Sequence, residues 1–416
     1  MIDVDQFFRS FIKDQLPEAR HVVRQFMSDM SYNSDPQRFL ERLSALEDFV
    51  VSDEEGASAL SHSVRGSVLQ VARLLKKMRL STDASQSINA FHDRQLNLGY
   101  AQLRSDEYEL ARTFAKLMLG PITDIQFKPA HGPGSVAEGN FGLDKSNLVR
   151  APNTSYGWSL LDLDPLCRIP EGDGARHTRV TSVEKDWRGR RVIGMEPAWK
   201  MFAQLSLKGA MEHHSAAYIP YYNQGLQRQR LVGEYPSRLA TLDLSSASDY
   251  LTVDLAHEIL PESWFSLLVE NRTPSYTLPD GSVHRTESFA LMGNGFCFPC
   301  LSVIVTSLCF AAAAKCLGLR PTHSTIHQLR NYWGIQVFGD DIVFPSCMVD
   351  QLIFTLASAG LKLNRAKSGF GTFRETCGFY QFGDESPFIC YYLRNAECAE
   401  LEDVLRLVAL QNTLYN

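Results

Sequence analysis

The sequence lacks an excess of charge of either sign. Its 41 Lys and Arg residues nearly balance 47 Asp and Glu residues, which gives a formal net charge of −6 and a pI near 6.0. This balance excludes a chain that is basic throughout, so any contact with nucleic acid must use a local basic surface. With 44% hydrophobic and 21% charged residues, the composition predicts a folded globular protein rather than a disordered one.

Paired cysteines and leader-like segments are also scarce. The nine cysteines are scattered, and Cys297 and Cys300 form one CxxC with no second Cys or His pair at zinc-finger spacing. The chain begins MIDVDQFF, without the charged-then-apolar pattern of a signal region. We therefore expect a cytoplasmic protein with reduced thiols, and we expect neither a zinc site nor a redox CxxC.

One uncharged run is long enough to cross a bilayer. It spans residues 296–314 and reads FCFPCLSVIVTSLCFAAAA. Pro299 near its start, the hydroxyls of Ser302 and Thr306, and the lack of a flanking Lys/Arg cluster favour a buried core helix over a membrane span. We therefore expect no membrane association.

Segments of different character divide the 416 residues, a length typical of two or three subdomains. The first hundred residues or so look helical, and the segment from Ser105 to Gly120 has the start, apolar spacing and stop of one helix. Residues 121–180 are rich in Gly, Pro and polar residues, which predicts loops and short strands. Strand and turn patterns are dense from about residue 181.

Two adjacent carboxylates, Asp340 and Asp341, stand in the segment IQVFGDDIVF, residues 335–344. β-Branched and aromatic residues flank them, and Gly339-Asp340 has the residue types of a tight hairpin turn. Two like charges about 4 Å apart repel by roughly 4 kcal/mol at an effective dielectric of 20, so a partly buried pair needs raised pKa values or a cation. The segment alone fits either a solvated turn or a site for a hard divalent metal.

Two further segments precede this hairpin. In ATLDLSSASDY, residues 240–250, Asp243 ends an apolar strand pattern, and Ser248 fits the N-cap of a following helix. Asp249 fits either a first-turn helix acid or a functional carboxylate. The Gly-Asn-Gly turn at residues 293–295 precedes the apolar run, where it could bring backbone N–H groups close to a ligand.

Basic residues gather in VEKDWRGRRVI, residues 183–193, and Lys367 follows the acidic hairpin. The basic segment contains Lys185, Arg190 and Arg191 around a turn glycine. It fits either a solvated basic hairpin or a clamp for a polyphosphate. Lys367 fits either a surface charge or a further phosphate contact.

The order of these segments is more specific than any one of them. A basic segment, Asp243 and Asp249, a glycine loop before a helix, a Gly-Asp-Asp hairpin and a lysine follow one another as in RNA-dependent RNA polymerases. The blocks HGPGSV, RVIGMEP, DLSSASD, MGNGF, FGDDIV and FRETCG resemble those of the replicase catalytic subunit of single-stranded RNA bacteriophages, the leviviruses. The resemblance covers roughly residues 130–395.

This resemblance implies an α+β right-hand polymerase with a ferredoxin-like antiparallel palm sheet, helical fingers and a reduced or truncated thumb. It implies four regions in chain order. These are an N-terminal helical region that bridges fingers and thumb, fingers with the basic NTP-binding segment, a palm with the catalytic motifs, and the start of a thumb. Their expected bounds are residues 1–120, 121–236, 237–394 and 395–416.

The resemblance also implies a site for two Mg²⁺ ions, with Mn²⁺ as a substitute, held by Asp243, Asp340, Asp341 and the backbone of Leu244. One ion would activate the RNA 3′-hydroxyl, and the other would neutralise the leaving pyrophosphate. Lys367 resembles the lysine that protonates this leaving group. The remaining implied contacts are to the nucleotide, through triphosphate-binding and ribose-facing residues: Lys185, Arg190, Arg191, Ser246, Asp249, Gly293 and Asn294.

The implied function is template-directed synthesis of RNA from NTPs on single-stranded RNA, which replicates a phage genome in the cytoplasm of the infected bacterial host. Implied partners are the template, the nascent RNA, the host elongation factors Tu and Ts, and a ribosomal protein. Three alternatives compete with this function. They are a catalytically impaired RNA-binding or assembly protein, a reverse transcriptase, against which Gly339 and Asp249 argue, and a metal-dependent nuclease, which would not need the basic clamp.

Overall fold

The computed structural model describes residues 4–52, 55–78, 82–99, 101–102, 105–122, 128–139, 175–226, 238–390 and 392. Within these ranges the chain combines helices with largely antiparallel sheets, which confirms the predicted α+β class. The expected start of a thumb, residues 395–416, lies outside the described residues.

The described part of the first 120 residues is mainly helical, as the sequence predicts. Asp35 starts one helix by accepting a hydrogen bond from the Arg38 N–H at 3.0 Å. Gly120 has a φ of +62° after the last helix, a left-handed conformation typical of a helix stop. The helices are α1 (Val4–Gln15), α2 (Arg20–Met27), α3 (Pro36–Val51), α4 (Glu55–Ser58), α5 (His62–Leu74), α6 (Ala84–Leu96) and α7 (Ser105–Leu119), with a 3₁₀ turn at Pro17–Ala19.

The described strands form three sheets, and all their pairings are antiparallel except one. The strands are β1 (Thr178–Asp186), β2 (Gly189–Met195), β3 (Leu239–Asp243), β4 (Ser275–Thr277), β5 (Val283–Arg285), β6 (Gln336–Phe338), β7 (Asp341–Pro345), β8 (Phe373–Thr376), β9 (Phe379–Phe382) and β10 (Phe388–Ile389). Their orders are β2-β1-β4-β5, β3-β7-β6 and β10-β9-β8, and β1 runs parallel to β4.

The helices of the second half lie between these strands in the chain. They are α8 (Ala198–Ser215), α9 (Ala247–Tyr250), α10 (Val253–Ile259), α11 (Glu262–Asn271), α12 (Cys297–Leu317), α13 (His323–Asn331) and α14 (Val349–Ser358), with a 3₁₀ turn at Ser346–Met348. The sequence predicted that Ser248 caps the helix after Asp243, and this prediction is wrong. Ser248 lies inside the short α9, and Thr252 caps α10 by accepting a hydrogen bond from the Leu255 N–H at 3.2 Å.

The sheet β3-β7-β6 has the topology expected of a palm. Helix α12 lies between β3 and β6 in the chain, and α14 follows β7. After α14, the chain returns to the free edge of β3 through antiparallel bridges between Leu244 and Leu363 and between Thr241 and Gly369. Counted along the chain, β3, β6, β7 and this returning segment are the first to fourth strands. Their order across the sheet is fourth, first, third and second, as in a ferredoxin-like unit, and the fourth strand is reduced here to the two bridges. The predicted palm sheet is therefore confirmed.

Helix α12 contains most of the uncharged run for which the sequence favoured a core helix over a membrane span. It is long and apolar enough to cross a bilayer, but 94% of its most apolar 18-residue window is buried inside the protein. Pro299 lies in its first turn, where a missing backbone N–H leaves no hydrogen bond unmade. The predicted core helix is confirmed.

Helices α1, α2, α3 and α5 share a second core with the sheet β10-β9-β8, far along the chain. The Arg73 guanidinium lies 4.1 Å from the centre of the Tyr380 ring and forms an ion pair with Glu47 at 2.6 Å. The Arg65 guanidinium lies 4.7 Å from the centre of the Phe382 ring. Helices α6 and α7 belong to other cores, since α6 packs on the first sheet and α7 packs on α12. The N-terminal helices are thus shared among several parts of the molecule.

Candidate active site

The predicted acidic hairpin joins β6 to β7, and its two-residue turn begins at Gly339. Phe338 pairs with Asp341 across this turn. Gly339 has a φ of +65°, and a Cβ added to it would lie 2.7 Å from the ring of Phe298. Its N–H donates a hydrogen bond to Ser302 Oγ at 3.2 Å. The first turns of α12 therefore support the tip of the hairpin, and only glycine fits there.

Asp243 lies directly beside this hairpin. It is the cross-strand partner of Asp341 at the ends of β3 and β7, and directly opposed residues in an antiparallel pair have Cα atoms roughly 4.5–5.5 Å apart. The Leu244 N–H donates a hydrogen bond to the carbonyl of Asp340 at 3.3 Å. The structure therefore brings the three aspartates and Leu244 to one edge of the palm sheet.

The two hairpin carboxylates lie among like charges: Asp340 is exposed, Asp341 is half-buried, and the neighbouring Asp243 is buried. Desolvation raises the pKa of Asp340, and the charge of Asp243 raises it further. Desolvation also raises the pKa of Asp341 to about 8, and three neighbouring carboxylates add to this effect. Ionising all of these groups together is unfavourable unless a cation compensates the charge.

Glu375 of β8 is a fourth acid, which the sequence pattern did not single out. It is 7% exposed, and its N–H donates a hydrogen bond to Thr241 Oγ1 at 2.9 Å. Its carboxylate accepts a hydrogen bond from the Gly378 N–H at 3.3 Å, and its charge helps to raise the pKa of Asp341. The thiol of Cys377, which has a φ of +49°, forms a hydrogen bond with the Asp341 carboxylate. The FRETCG block contains both residues, but only the packing of β8 against β3 places them here.

Lys367 contacts the acids directly. Its Nζ lies 3.0 Å from Asp243 Oδ2, and Asn364 Nδ2 donates to the same oxygen at 3.2 Å. Burial lowers the pKa of Lys367, but Asp243, Glu375 and Asp341 outweigh this effect and leave it raised. The lysine is therefore a protonated donor beside the cluster, rather than an isolated surface charge.

The donor chemistry of this cluster fits a hard divalent cation, because carboxylate and carbonyl oxygens are the ligands that Mg²⁺ prefers. Desolvation and the crowding of like charges point the same way, since together they raise the pKa of Asp340 and Asp341. Across the described ranges, however, no three His, Cys, Asp or Glu side chains are close enough to form a ready-made metal site. The ammonium of Lys367 instead lies next to Asp243.

The basic hairpin of β1 and β2 approaches these acids. Lys185 lies at a break in the strand register between Glu184 and Asp186. Burial lowers the pKa of Lys185, and the positive charges of Lys367 and Arg191 lower it further. Arg191 also lowers the pKa of Asp340. Lys185 and Arg191 are therefore within electrostatic reach of the acidic cluster.

Arg190 has a different environment from its neighbour Arg191. Its Nε donates to Ser182 Oγ at 2.9 Å, and its Nη2 donates to the Ser182 carbonyl at 3.1 Å. Its Nη1 also lies 3.8 Å from Glu184 Oε1. The structure ties Arg190 to its own hairpin, whereas the acids attract Arg191.

The glycine loop before α12 packs against β2. Gly293 has a φ of +112°, and a Cβ added to it would lie 2.2 Å from the carbonyl oxygen of Gly194. The Gly194 N–H donates to the Met292 carbonyl at 2.7 Å. Gly293 is therefore required by the close approach of two backbones, a reason that the sequence did not reveal.

The N–H groups after Gly293 already have protein acceptors. Gly295 N–H donates to Gln204 Oε1 at 3.0 Å, and Phe296 N–H donates to Asn294 Oδ1 at 3.0 Å. The expectation that the turn at residues 293–295 offers its N–H groups to a ligand is therefore wrong for Gly295. The carboxamide oxygen of Asn294 is used inside the protein as well.

Three residues predicted to face the ribose lie around the starts of α9 and α12. Asp249 is 8% exposed and Asn294 is 6% exposed, whereas Ser246 is exposed and has a φ of +48°. The pKa of the Cys297 thiol is raised to about 12 by burial, and the charges of Asp249 and Asp340 contribute. The start of α12 is therefore within electrostatic reach of both the ribose-facing candidates and the acidic hairpin.

Arg94 of α6 is another residue that the sequence did not indicate. Its Nε and Nη2 lie 3.1 Å and 3.0 Å from Asp249 Oδ2. Residues 94 and 249 are far apart in the chain, and neither lies in a pattern that predicts the other. No signal in the sequence alone could have paired them.

Comparison with known proteins identifies the family. Residues 173–415, more than half of the chain, match the family model for the RNA replicase beta-chain, and the protein belongs to this family. It is 34% identical over 242 residues to the RNA-directed RNA polymerase subunit beta of Escherichia virus Qbeta, a match that covers 57% of this chain and 38% of the relative. It is also 34% identical over 226 residues to the RNA-directed RNA polymerase beta chain of Escherichia phage MS2, over 53% of this chain and 38% of the relative.

The match therefore spans less than two fifths of the length of these curated relatives. Among solved structures, the RNA-dependent RNA polymerase of a human picorbirnavirus aligns with a TM-score of 0.43 and 12% identity. That alignment covers 93% of this chain and 71% of the other.

Proposed function

We propose that this chain carries the catalytic centre of an RNA-directed RNA polymerase that makes RNA from NTPs on a single-stranded RNA template, and so replicates a phage RNA genome. The observation that carries this proposal is the pairing of Asp243 with Asp341 beside the Gly339-Asp340 turn. Membership of the replicase family supports it. A metal-dependent nuclease would need the acids but not the adjacent basic hairpin.

Asp243, Asp340 and Asp341, with the backbone of Leu244, would hold two divalent ions, Mg²⁺ by preference and Mn²⁺ as a substitute. When bound, these ions would lower the pKa of the RNA 3′-hydroxyl and neutralise the leaving pyrophosphate. Ion binding requires the Lys367 ammonium to move from Asp243 Oδ2, which it now approaches to 3.0 Å. The raised pKa of Lys367 keeps it protonated, so it would donate a proton to the pyrophosphate oxygen as the bond breaks.

Lys185 and Arg191 would bind the triphosphate of the incoming nucleotide. Burial lowers the pKa of Lys185, and the charges of Lys367 and Arg191 lower it further; a polyanion between Lys185 and Arg191 would relieve this repulsion. Arg190 would stabilise the hairpin through Ser182, and its role in nucleotide binding would be indirect. Gly293 would act in the same indirect way, by letting the loop approach β2.

Asp249, Asn294 and Ser246 would face the ribose of the nucleotide. A carboxylate that accepts a hydrogen bond from the 2′-hydroxyl would favour ribonucleotides over deoxyribonucleotides. The polar character of Asp249 therefore argues against a reverse transcriptase.

For the whole chain we propose the four regions expected from the sequence: a bridging helical region (1–120), fingers (121–236), a palm (237–394) and the start of a thumb (395–416). The template and the nascent RNA would be its nucleic-acid partners. By resemblance to the levivirus replicases, the host elongation factors Tu and Ts and a ribosomal protein would complete the enzyme. It would then act in the cytoplasm of the infected bacterium.

The test is incorporation of labelled NTPs on a single-stranded RNA, with Mg²⁺ or with EDTA, and with or without a bacterial lysate. Mg²⁺-dependent incorporation by the purified chain supports a self-sufficient polymerase. Incorporation only with lysate, and none when Asp340→Asn replaces the wild-type chain, supports a polymerase that needs host factors. RNA binding without incorporation under any condition would favour the inactive RNA-binding or assembly protein.

A further inference from the structure

The side chain of Asp249 in α9 is held by Arg94 of the distant helix α6. The Asp249 side chain is 12% exposed, and both contacting nitrogens of Arg94 approach the same oxygen, Oδ2, at 3.0 and 3.1 Å. Within the described ranges, no donor forms a hydrogen bond with the other oxygen, Oδ1. Oδ1 is also not among the buried polar atoms left without a partner, so it keeps contact with solvent, and this geometry leaves one accessible acceptor for a ligand.

Gln95, which follows Arg94 in α6, holds the backbone of Asp249 through Ser288. Ser288 Oγ donates to the Asp249 carbonyl at 2.6 Å, and Gln95 Nε2 donates to Ser288 Oγ at 2.6 Å. Gln95 Oε1 in turn accepts hydrogen bonds from the N–H groups of Glu287 and Ser288 at 3.2 Å. Consecutive residues of α6 therefore fix both the side chain and the main chain of Asp249.

Helix α6 is itself anchored on the sheet that carries the basic hairpin. Its Phe91 packs edge-on against the Tyr276 ring, with ring centres 5.4 Å apart, and Ile88 and Phe91 share a core with Val180 of β1. This arrangement sets the position of Asp249 relative to Lys185 and Arg191. Through these contacts, α6 fixes the distance between Asp249, proposed to bind the ribose, and Lys185 and Arg191, proposed to bind the triphosphate.

We infer that Arg94 is a positioning residue for sugar recognition: by binding Asp249 Oδ2 it turns Oδ1 toward the 2′-hydroxyl of the incoming nucleotide. The inference rests on the proposed function, and it adds a helix outside the polymerase motifs to the specificity site. Burial raises the pKa of Asp249, and Arg94 opposes this effect without cancelling it, so the contribution of Arg94 favours the ionised acceptor.

The experiment compares nucleotides that differ only at the 2′ position. A 2′-hydroxyl or 2′-amino group can donate a hydrogen bond to Oδ1, whereas a 2′-fluoro group or a 2′-hydrogen cannot. The wild-type chain should therefore prefer the two donors over the two non-donors in kcat/KM. In Arg94→Ala, we expect this preference to fall roughly 10- to 100-fold, because a displaced contact group loses its specific interaction. Arg94→Lys keeps the charge but not the two-nitrogen contact, so its preference should lie between those of the wild-type chain and Arg94→Ala.

Arg112→Ala is the matched control. Arg112 lies on the neighbouring helix α7 and pairs with Glu258 at 2.8 Å in an exposed ion pair, so its loss should leave the 2′ preference unchanged. Thermal unfolding and circular dichroism establish that each variant is folded. If Arg94→Ala does not fold, the ratio measured for Arg94→Lys decides.

Two results would overturn the inference. One is a folded Arg94 variant with the wild-type 2′ preference; the other is an equal loss of rate with all four nucleotides, which is the mark of a general structural defect. Failure of the proposed function looks different, because the wild-type chain and Arg112→Ala would then incorporate no nucleotide at all.

Discussion

The acidic hairpin and the Asp249 site both contain carboxylates whose pKa is raised by desolvation, but the cations beside them are placed differently. Asp249 has a fixed partner in Arg94 at 3.0 Å. Asp340 and Asp341 have raised pKa values because desolvation and neighbouring acids outweigh the nearby cations. A fixed partner fits the recognition role proposed for Asp249. Within the described residues Lys367 pairs with Asp243, whereas Asp340 and Asp341 have no ion pair of their own, which fits the proposed binding of a cation there.

Among the tests of this comparison, Asp340→Asn has the largest expected effect. We expect incorporation to fall by at least about 10³-fold, because a catalytic ion loses a charged ligand. The same change removes a repulsive charge, so the thermal unfolding midpoint should stay the same or rise. Asp350→Asn, an exposed site at the start of α14, is the control and should keep both values. Substantial elongation by Asp340→Asn would remove the metal assignment.

The second test is Asp249→Ala. Loss of the ribose acceptor should reduce the preference for NTPs over dNTPs by about 10²-fold, while incorporation of NTPs continues. The measurement is the ratio of kcat/KM for the two sugars. An unchanged ratio in a folded variant would show that another residue reads the sugar.

The third test compares two adjacent arginines. Arg191→Ala should raise the KM for NTPs about tenfold, since a charged contact to phosphate is lost. Arg190→Ala should raise KM less, because Arg190 is bound to Ser182 within its hairpin. Equal effects of the two variants on KM, or an effect of Arg191→Ala on template affinity alone, would contradict the assignment of the clamp.

The smallest expected effect is stabilisation by divalent ions. Mg²⁺ or Mn²⁺ at about 100 times its Kd should stabilise the wild-type chain by about 2.7 kcal/mol and raise the unfolding midpoint by roughly a few degrees. Asp249→Ala should keep this shift, and Asp340→Asn should lose most of it. A shift that survives in Asp340→Asn would locate the ions elsewhere.

Local patterns predicted much of the fold and the palm. The alternating strands around Gly339-Asp340 encode the hairpin within ten residues, and the apolar run encodes α12 through its length and Pro299. The order of the motifs also indicated that Asp243 approaches the hairpin, and the register pairs it with Asp341. These features depend on short-range turn chemistry or on the topology of one sheet.

What the sequence did not reveal depends on contacts between distant segments. Glu375 reaches the acids only because β8 binds Thr241, and Arg94 reaches Asp249 only because α6 packs on the first sheet. The glycine of the Gly-Asn-Gly turn is explained by the backbone of Gly194, which no local pattern could indicate. Such contacts arise from tertiary packing, which secondary-structure propensity and hydrophobic periodicity do not predict.

The sharing of the N-terminal helices among several cores limits how the protein can be shortened. The family match begins at residue 173, yet Arg94 and Gln95 lie well before it, and α1, α2, α3 and α5 cover the sheet that carries Glu375. Removal of the first 120 residues would uncover the apolar side of Tyr380 and Phe382 and release Asp249. The smallest unit that keeps both the acidic hairpin and the Asp249 site supported is thus larger than the segment that matches the family.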